Sequence, residues 1–568
     1  MKRWLCVIPL LLCTGCGTYY GAVPTNHIVM VNIDGHPVDP TGNTSCDEAS
    51  DFLCKGDHST LRGYPTLNHG YSKYVDRIMI NLDEGRLCGT SSQPRLRKLL
   101  VFIHGGLNNQ TETVERAVSL CKQIAEGGYY PLFINWQSAL SPSYWNHLVR
   151  IRQGEDWGEG MFSRIGGYLT SPGLLFGDFT RSILRVPVAT FFQIRNDVET
   201  VPLFRPMLPL WWSDLAFAQE TTYTALCQTL PNGKSSPDAL KEYATILHKS
   251  IDRCKTQGIE ANHELADLNL SLGTDKREDF EKNWAFTKYL ITFPTKLLSA
   301  PVIDAGGTSA WAIMLRSVSQ LFHYDGEPHI HNNLNHTHPN SESYESRGAL
   351  YFFFEELRKK ICDTEGRQNG CPNPKGWEIT LVGHSTGAII AHHILREFGD
   401  LPIKNIIYMG AASSIRDYQE TVFPYLEKKN NALSQDDRKC TPPGQSQKPT
   451  CVYHLMLHEA AESGEWLWDT IDPFPRGSLL IWLDNFLSQP MSREDRTLGR
   501  FTNFITTVHH TPTTLRPYIH VKKFGVGEAV DEPKKHGDFS RKLKFWDPKC
   551  WTSWPSNSKC YVADGYYE

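Results

Sequence analysis

The sequence has no excess of basic residues. Its 568 residues include 58 lysines and arginines against 62 aspartates and glutamates, which gives a formal net charge of −4. A protein that binds nucleic acid through its phosphates needs a positive field. The charge balance therefore gives no support to a nucleic-acid partner.

Internal repeats and zinc-ligand spacings are also missing. No segment of the sequence repeats at a fixed interval, and the 15 cysteines show no convincing zinc pattern. What is present is a chain that is 40% hydrophobic. That is enough apolar material for one large core or for two domains.

The apolar segment at the N-terminus is too short to span a bilayer. Lys2 and Arg3 precede it, and it ends in Leu12-Cys13-Thr14-Gly15-Cys16. This pattern resembles a bacterial lipoprotein signal, which implies removal of residues 1–15 and lipid on Cys16. Gly17 resembles a sorting signal for the outer membrane. Plain secretion is the alternative, and either one predicts export to the cell envelope.

Cysteine usage agrees with export. Setting aside Cys6, Cys13 and Cys16 leaves an even number of cysteines, several of which are close neighbours in polar segments. Short local disulfides are typical of an oxidising compartment. The expected pairs are Cys46–Cys54, Cys88–Cys121, Cys227–Cys254, Cys362–Cys371, Cys440–Cys451 and Cys550–Cys560. The alternative is that some are buried free thiols.

A strand–helix–strand unit opens the main domain. Residues 97–104 (RKLLVFIH) form a continuous apolar run, residues 111–126 have helical spacing, and residues 130–136 are strand-like again. Such a unit predicts a parallel sheet. Residues 76–82 alternate and predict one earlier strand, after a polar N-terminal extension at 16–75.

The alternation stops at residue 139 and resumes after residue 345. The intervening segment, 139–345, is predominantly helical and aromatic. Helices are then expected at 348–361 and 388–398, and strands at 377–382, 404–409, 451–457 and 518–524. The sequence therefore predicts one α/β domain in two parts, 76–138 and 346–545, with a large helical insertion and a disulfide-containing tail at 546–568.

Gly383-His384-Ser385-Thr386-Gly387 lies where an apolar strand ends and a helix begins. The motif G-x-S-x-G places a serine on a tight, strained turn at a helix N-terminus, where small neighbours let the strand and the helix approach. The Thr386 N–H can then stabilise a developing oxyanion. We interpret Ser385 as a nucleophile; a structural turn serine is the alternative.

An earlier strand ends in His104-Gly105-Gly106-Leu107. A loop of this type supplies the second oxyanion N–H in enzymes with a strand–serine–helix turn. Gly106 or Leu107 is the candidate donor, and a glycine turn with no catalytic part is the alternative.

Together these motifs resemble the α/β-hydrolase fold serine hydrolases of the esterase/lipase type. The resemblance covers residues 97–137 and 345–540. It implies an α/β-hydrolase fold, a mostly parallel central sheet with helices on both faces, in which residues 139–345 form a helical cap. It also implies a base after the last strand, for which His536 has the expected position.

The acid of the triad is less well determined by the sequence. In the family it follows the strand before that of the base, here residues 451–457. Glu462 is the first choice, and the alternatives are Glu459, Asp469, Asp472 and, after the preceding strand, Asp417.

The resemblance implies a serine ester hydrolase that acts on lipid or acyl esters at a membrane surface and needs no metal or organic cofactor. An amidase or peptidase with the same triad is one alternative. A non-catalytic hydrolase scaffold that binds at the cell surface is another. The substrate and the oligomeric state stay open.

Overall fold

A computed structural model gives the fold of the chain. It describes residues 24–32, 35, 37–40, 71–88, 96–106, 108, 110–136, 138, 140–149, 151–152, 155–156, 161–200, 278–323, 347–362, 371, 376–431, 433, 440, 449–457, 459–465, 474–524, 533–552 and 560. The signal-like segment with Cys16 lies outside these residues.

Strands and helices alternate through both ends of the chain. The strands are β1 (Ile28–Val31), β2 (Lys98–Ile103), β3 (Tyr130–Trp136), β4 (Ile151–Arg152), β5 (Glu155–Asp156), β6 (Glu378–His384), β7 (Ile403–Met409), β8 (Cys451–Leu457) and β9 (Ile519–Phe524). The helices are α1 (Tyr71–Glu84), α2 (Gln110–Glu126), α3 (Leu140–Val149), α4 (Met161–Leu184), α5 (Val186–Thr200), α6 (Glu278–Gln320), α7 (Ala349–Cys362), α8 (Gly387–Glu397), α9 (Ile415–Asn430), α10 (Glu459–Gly464), α11 (Leu479–Trp482), α12 (Phe501–His510), α13 (Phe539–Lys542) and α14 (Pro548–Thr552).

The chain divides into two compact units. The first comprises Met1–Arg181, Gly306–Ile379 and Asp400–Pro402, and the second comprises Ser182–Ala305, Thr380–Gly399 and Ile403–Glu568. Each unit contains parallel strands and helices.

In the first unit, β3 lies between β1 and β2 and is parallel to both. Every residue of β3 is buried, and in β2 only Lys98 is exposed. A strand that is apolar along its whole length is typical of a parallel sheet covered on both faces. Helix α2 lies between β2 and β3 in the sequence and packs on β3, as the strand–helix–strand pattern predicts.

In the second unit the strand order is β6-β7-β8-β9. Strand β8 is parallel to β7, with Cys451 opposite Asn405, and parallel to β9, with Val452 opposite Ile519. All seven residues of β8 are buried. The parallel strands of both units confirm the α/β class that the sequence predicts.

The strand expected at 76–82 is wrong, because these residues belong to helix α1. Its buried residues are Tyr71, Tyr74, Val75, Ile78, Met79, Asn81 and Leu82. They recur at intervals of three and four, which is the period of a helix face. Residues 76–82 alone are too short a window to distinguish a strand from a helix. The helical period appears only when residues 71–75 are included.

The described cysteines pair as expected. Cys88 lies in disulfide contact with Cys121, Cys362 with Cys371, Cys440 with Cys451 and Cys550 with Cys560. The other two expected pairs, Cys46–Cys54 and Cys227–Cys254, fall outside the described residues. The four observed pairs agree with an oxidising compartment.

Among the helices that the structure describes, none combines the length and the apolar character required to cross a bilayer. Helices α3 to α6 and the antiparallel pair β4–β5 occupy the described part of residues 139–345.

His104, directly after β2, is buried in the neutral form. Its Nε2 accepts the Trp136 N–H at 2.9 Å, and its Nδ1 lies 2.7 Å from the Gly105 carbonyl oxygen, to which it donates. Burial lowers the pKa of His104 to about 3. Burial likewise lowers the pKa of His454 to about 3 and that of His27 to about 4.

These histidines predict a loss of stability in acid. A histidine with a folded pKa below its unfolded value of about 6.5 stabilises the protein above that pH, and the contribution disappears as the pH falls. Each such group should contribute a slope of about 1.4 kcal/mol per pH unit between pH 6.5 and 4. Urea unfolding between pH 7.5 and 4.5, followed by tryptophan fluorescence, should show His104→Gln with a flatter dependence than the wild type. Equal slopes would contradict a neutral buried His104.

Candidate active site

Ser385 occupies a left-handed backbone conformation between β6 and α8. Its φ angle is 52°, and a second non-glycine residue with positive φ among those described is Gln489. This region is costly for an L-residue with a side chain and is often found at functional turns. Ser385 is buried, with 1% of its surface exposed. The G-x-S-x-G prediction of a strained strand–helix turn agrees with this geometry.

Two backbone hydrogen bonds fix this turn. The Ser385 N–H donates to the carbonyl oxygen of Met409, the last residue of β7, at 2.9 Å. The Ser385 carbonyl oxygen accepts the Ala412 N–H at 3.0 Å. The chain that leaves β7 therefore determines where the serine points.

Gly383 is required by the close approach of α8 to β6. A Cβ atom at this position would lie 2.9 Å from both the Cα and the N of Ala388. Contacts this short to backbone atoms cannot be relieved by a side-chain rotation. The glycine two residues before the serine thus has the steric role that the motif predicts.

His536 reaches the same edge of the strands as Ser385. It begins a short 3-10 helix, His536–Asp538, and is buried. Its ring lies against Gly410, the residue after β7, where a Cβ atom would be 2.9 Å from ring atoms Cε1 and Nδ1. Gly410 has a φ of 51°, so its missing side chain and its conformation both make room for the imidazole.

His384, the neighbour of Ser385, holds the other side of His536. The two rings are stacked, with centroids 5.2 Å apart and planes 28° from parallel. The Nε2 of His384 lies 3.1 Å from the His536 carbonyl oxygen, to which it donates. The residue before the serine therefore connects the serine turn to the histidine segment.

Three polar side-chain atoms of Ser385 and His536 lack hydrogen-bond partners within the described part of the chain. These are the serine Oγ and both ring nitrogens of His536, and all three are buried. Buried polar atoms without a partner are rare and often mark a site that completes itself on binding. Burial lowers the pKa of His536 to about 4, so the imidazole is neutral at pH 7, as a general base must be.

The structure does not bring the carboxylate of Glu462 to the His536 ring nitrogens. Glu462 is buried, and its carboxylate lies 3.8 Å from the Arg500 guanidinium. Arg500 also donates to Asp484 at 2.8 Å. Glu462 thus faces a buried cation, and its assignment as the acid stays a prediction.

The alternative acids are in different situations. Burial alone would raise the pKa of Asp417, but contacts with His392 and Arg396 outweigh it and hold the pKa well below its usual range. Asp417 is therefore occupied by two other partners. Asp469, Asp472 and the side chain of Glu459 lie outside the described residues.

Glu465 is a carboxylate that the sequence reasoning did not weigh. Its Oε2 accepts the backbone N–H of His536 at 2.9 Å. Burial raises the pKa of Glu465 to about 7, with the nearby Asp538 raising it further and the His536 bond and Lys535 opposing. It follows Glu462 by three residues in the same segment after β8, and no local pattern separates the two in the sequence.

The loop after β2 belongs to the first unit. Gly106 is half-buried at a turn, and Leu107 lies outside the described residues. The Asn108 side chain donates to the Gly105 carbonyl at 2.9 Å, and Ser138 donates to the same oxygen at 3.2 Å. Side-chain hydrogen bonds therefore hold this loop. The other candidate oxyanion donor, Thr386, is the N-cap residue of α8 in the second unit.

Two groups of described residues have ligand atoms close enough to hold a metal. They are His27 with Cys88 and Cys121, and His520 with Cys440 and Cys451. In each group the two cysteines form a disulfide with one another, so they offer no thiolate. Neither group is a suitable metal site in the oxidised chain.

Comparison with known proteins adds no family. No family model, no curated protein and no solved structure matches this chain.

The contact between Gly410 and His536 predicts the effect of two matched substitutions. Gly410→Ala places a methyl group against the imidazole. With His536 as the predicted base of an ester hydrolase, this should lower kcat/KM for an ester about 10- to 100-fold, since small displacements of a catalytic group are costly. Gly537→Ala is the control, because a Cβ there meets nothing within 4 Å. Steady-state kinetics on a soluble ester measure both. Equal losses would show that the ring does not need the space at Gly410.

The bond from His536 to Glu465 predicts a role in positioning. Glu465→Ala leaves a buried N–H unpaired and should lower kcat about tenfold with little change in KM. Glu465→Gln keeps an acceptor and should recover most of kcat. The pKa of about 7 makes Glu465 neutral below pH 7 and charged above it. The Gln variant should therefore lose the change in kcat that the wild type shows near pH 7. Profiles of the same shape in wild type and Gln variant would argue against this role.

Proposed function

We propose that the chain is a serine hydrolase that cleaves carboxylic esters of lipid or acyl substrates through an acyl-enzyme. The observation that carries the proposal is the left-handed Ser385 at a strand–helix turn, with the buried ring of His536 at the same strand edge. A strained serine and a neutral imidazole are two of the groups that nucleophilic catalysis of this kind requires.

The residues have distinct roles in the reaction. The neutral His536 takes the proton of the Ser385 hydroxyl as its Oγ attacks the ester carbonyl. The same imidazole, now protonated, gives that proton to the leaving alcohol, and an acyl-serine remains. Water, activated by His536, then releases the acid and restores the free serine.

The oxyanion of each tetrahedral intermediate needs donors. The Thr386 N–H, at the start of α8, is one candidate, and the helix N-terminus adds a favourable dipole. The N–H of Gly106 or Leu107 is the proposed second donor. One such donor contributes about 2.7–4 kcal/mol to transition-state stabilisation.

A carboxylate should orient His536, and there are two candidates, each supported by a different observation. Glu462 has the position that the family pattern favours. Among the described residues, Glu465 accepts a hydrogen bond from the backbone N–H of His536. We propose that Glu465 fixes the segment that carries the base. No metal or organic cofactor enters these steps.

The signal-like N-terminus supports a location in the cell envelope. A lipid on Cys16 would hold the enzyme at a membrane surface, where lipid esters are concentrated. The disulfide contacts are compatible with that compartment.

A fluorophosphonate probe tests the proposal directly. The purified mature chain should be labelled on Ser385, and Ser385→Ala and His536→Ala should lose the labelling because one lacks the nucleophile and the other its base. Ester turnover should fall by at least about 10³-fold in both. A series of esters and amides of increasing acyl length then identifies the substrate class.

The folded state of each variant is checked by circular dichroism. A folded wild type that neither reacts with the probe nor turns over any ester, with or without added lipid, would favour a scaffold that only binds.

A further inference from the structure

Helices α4 and α5 expose many large apolar residues and bury several polar ones. Between Tyr168 and Ile194, no exposed side chain is charged. The exposed large hydrophobic residues of this segment are Tyr168, Leu169, Leu175, Phe176, Phe179, Ile183, Leu184, Val186, Val188, Phe191 and Ile194. This is the reverse of the pattern expected for helices that face water.

In the first unit α4 exposes a broad surface that includes large apolar side chains. Leu169 is 76% exposed, Phe176 70% and Phe179 61%, at spacings of seven and three residues. The charged residue on the opposite side, Asp178, turns inward. It accepts a hydrogen bond from the Tyr144 hydroxyl at 2.9 Å and lies 3.2 Å from His147.

The second unit repeats this arrangement with different residues. Arg185 pairs with the fully buried Asp304 of α6, and the guanidinium Nη2 donates to it at 3.1 Å. Leu184 is 74% exposed beside this pair. On α6 itself Leu298 is 76% exposed. Each unit is thus polar inside and apolar outside along these helices.

The buried amides of α5 extend the pattern. Gln193 and Asn196 are fully buried, and Asn196 donates to the Arg476 carbonyl at 3.0 Å and accepts from the Asn485 side chain at 3.1 Å. On the same helix Phe191 and Ile194 are exposed. The polar face of α5 is therefore the one that packs on protein.

The exposed set is large for a surface in contact with water, and its composition favours lipid over a protein partner. Protein interfaces have a polar rim and are enriched in arginine, whereas the arginines here are turned inward or half-buried. The described helices cannot span a bilayer. Apolar helices that do not span a membrane can lie in its interface.

The N-terminus gives a separate reason to expect a lipid surface near this protein. The lipoprotein-like signal places lipid on Cys16, and Pro24 is the first described residue. The eight residue-to-residue steps from Cys16 to Pro24 reach at most about 29 Å when fully extended. A lipid on Cys16 would therefore keep the fold close to the bilayer.

We propose that the exposed apolar residues of α4 and α5 insert into the surface of a lipid bilayer and orient the protein there. The partner of these helices is thus a membrane lipid surface, and the contact between the two is hydrophobic. The choice of this occupant rests in part on the proposed envelope location, and it does not depend on ester hydrolysis.

Vesicle sedimentation of the full mature chain with Cys16→Ser measures whether the exposed apolar residues of α4 and α5 bind lipid without the lipid anchor. The chain should bind neutral phosphatidylcholine vesicles, and binding should change little with added phosphatidylglycerol or salt because no exposed charge takes part. Phe176→Glu with Phe179→Glu, and separately Leu184→Glu with Phe191→Glu, should each weaken binding about tenfold or more.

Lys122→Glu is the matched control, since it changes the net charge by the same amount as each double variant on an exposed residue of α2. It should bind as the parent does. Labelling of Ser385 by the fluorophosphonate probe is measured in parallel, so a failure of the proposed catalysis is seen separately from a failure of lipid binding.

Three results would overturn the proposal. One is a folded parent chain that does not bind either kind of vesicle. The second is binding that the double variants leave unchanged. The third is a concentration-dependent dimer, detected by sedimentation, that the double variants abolish, which would assign the face to a second copy of the chain.

Discussion

Two backbone hydrogen bonds hold Ser385 in the left-handed region, and the candidate site depends on them. One comes from the end of β7 at Met409 and the other from Ala412. The strain of this conformation is tolerable because the neighbouring strand over-determines it. The same chain segment contains Gly410, whose open space receives the His536 ring. The segment from Met409 to Ala412 therefore both fixes the backbone of Ser385 and leaves space for the ring of the proposed base.

Burial of neutral polar groups is the second constraint. His104, His454 and His536 are buried with their pKa values lowered, and Glu465 is half-buried with its pKa raised. In every case the apolar surroundings disfavour the charged form. At His104 the result is structural, since the neutral ring accepts the Trp136 N–H. At His536 the same physics keeps the imidazole unprotonated near pH 7, in the form in which it can accept a proton.

Helices α4 to α6 expose apolar side chains and bury charged ones. Asp178 and Asp304 face partners inside their own units, while leucines and phenylalanines face outward. Burying a charge is tolerable only when it is paired and hydrogen-bonded, and the observed contacts meet that condition. An exposed apolar surface of this kind is compatible with the lipid contact that we propose.

The sequence by itself determined the parallel α/β class, the bounds of most core strands and the strained turn at Ser385, because periodicity and glycine placement are local properties. It also favoured the three short disulfide pairs Cys362–Cys371, Cys440–Cys451 and Cys550–Cys560, whose partners are close in sequence, whereas the structure was needed to select Cys88–Cys121. It failed at residues 76–82, where a short window hid the helical period of α1. Only the tertiary structure decided that His536 lies on Gly410, that Glu462 faces Arg500 and that Glu465 holds the His536 backbone. These contacts join residues from separate elements, and no local pattern in the chain encodes which carboxylate turns toward which partner.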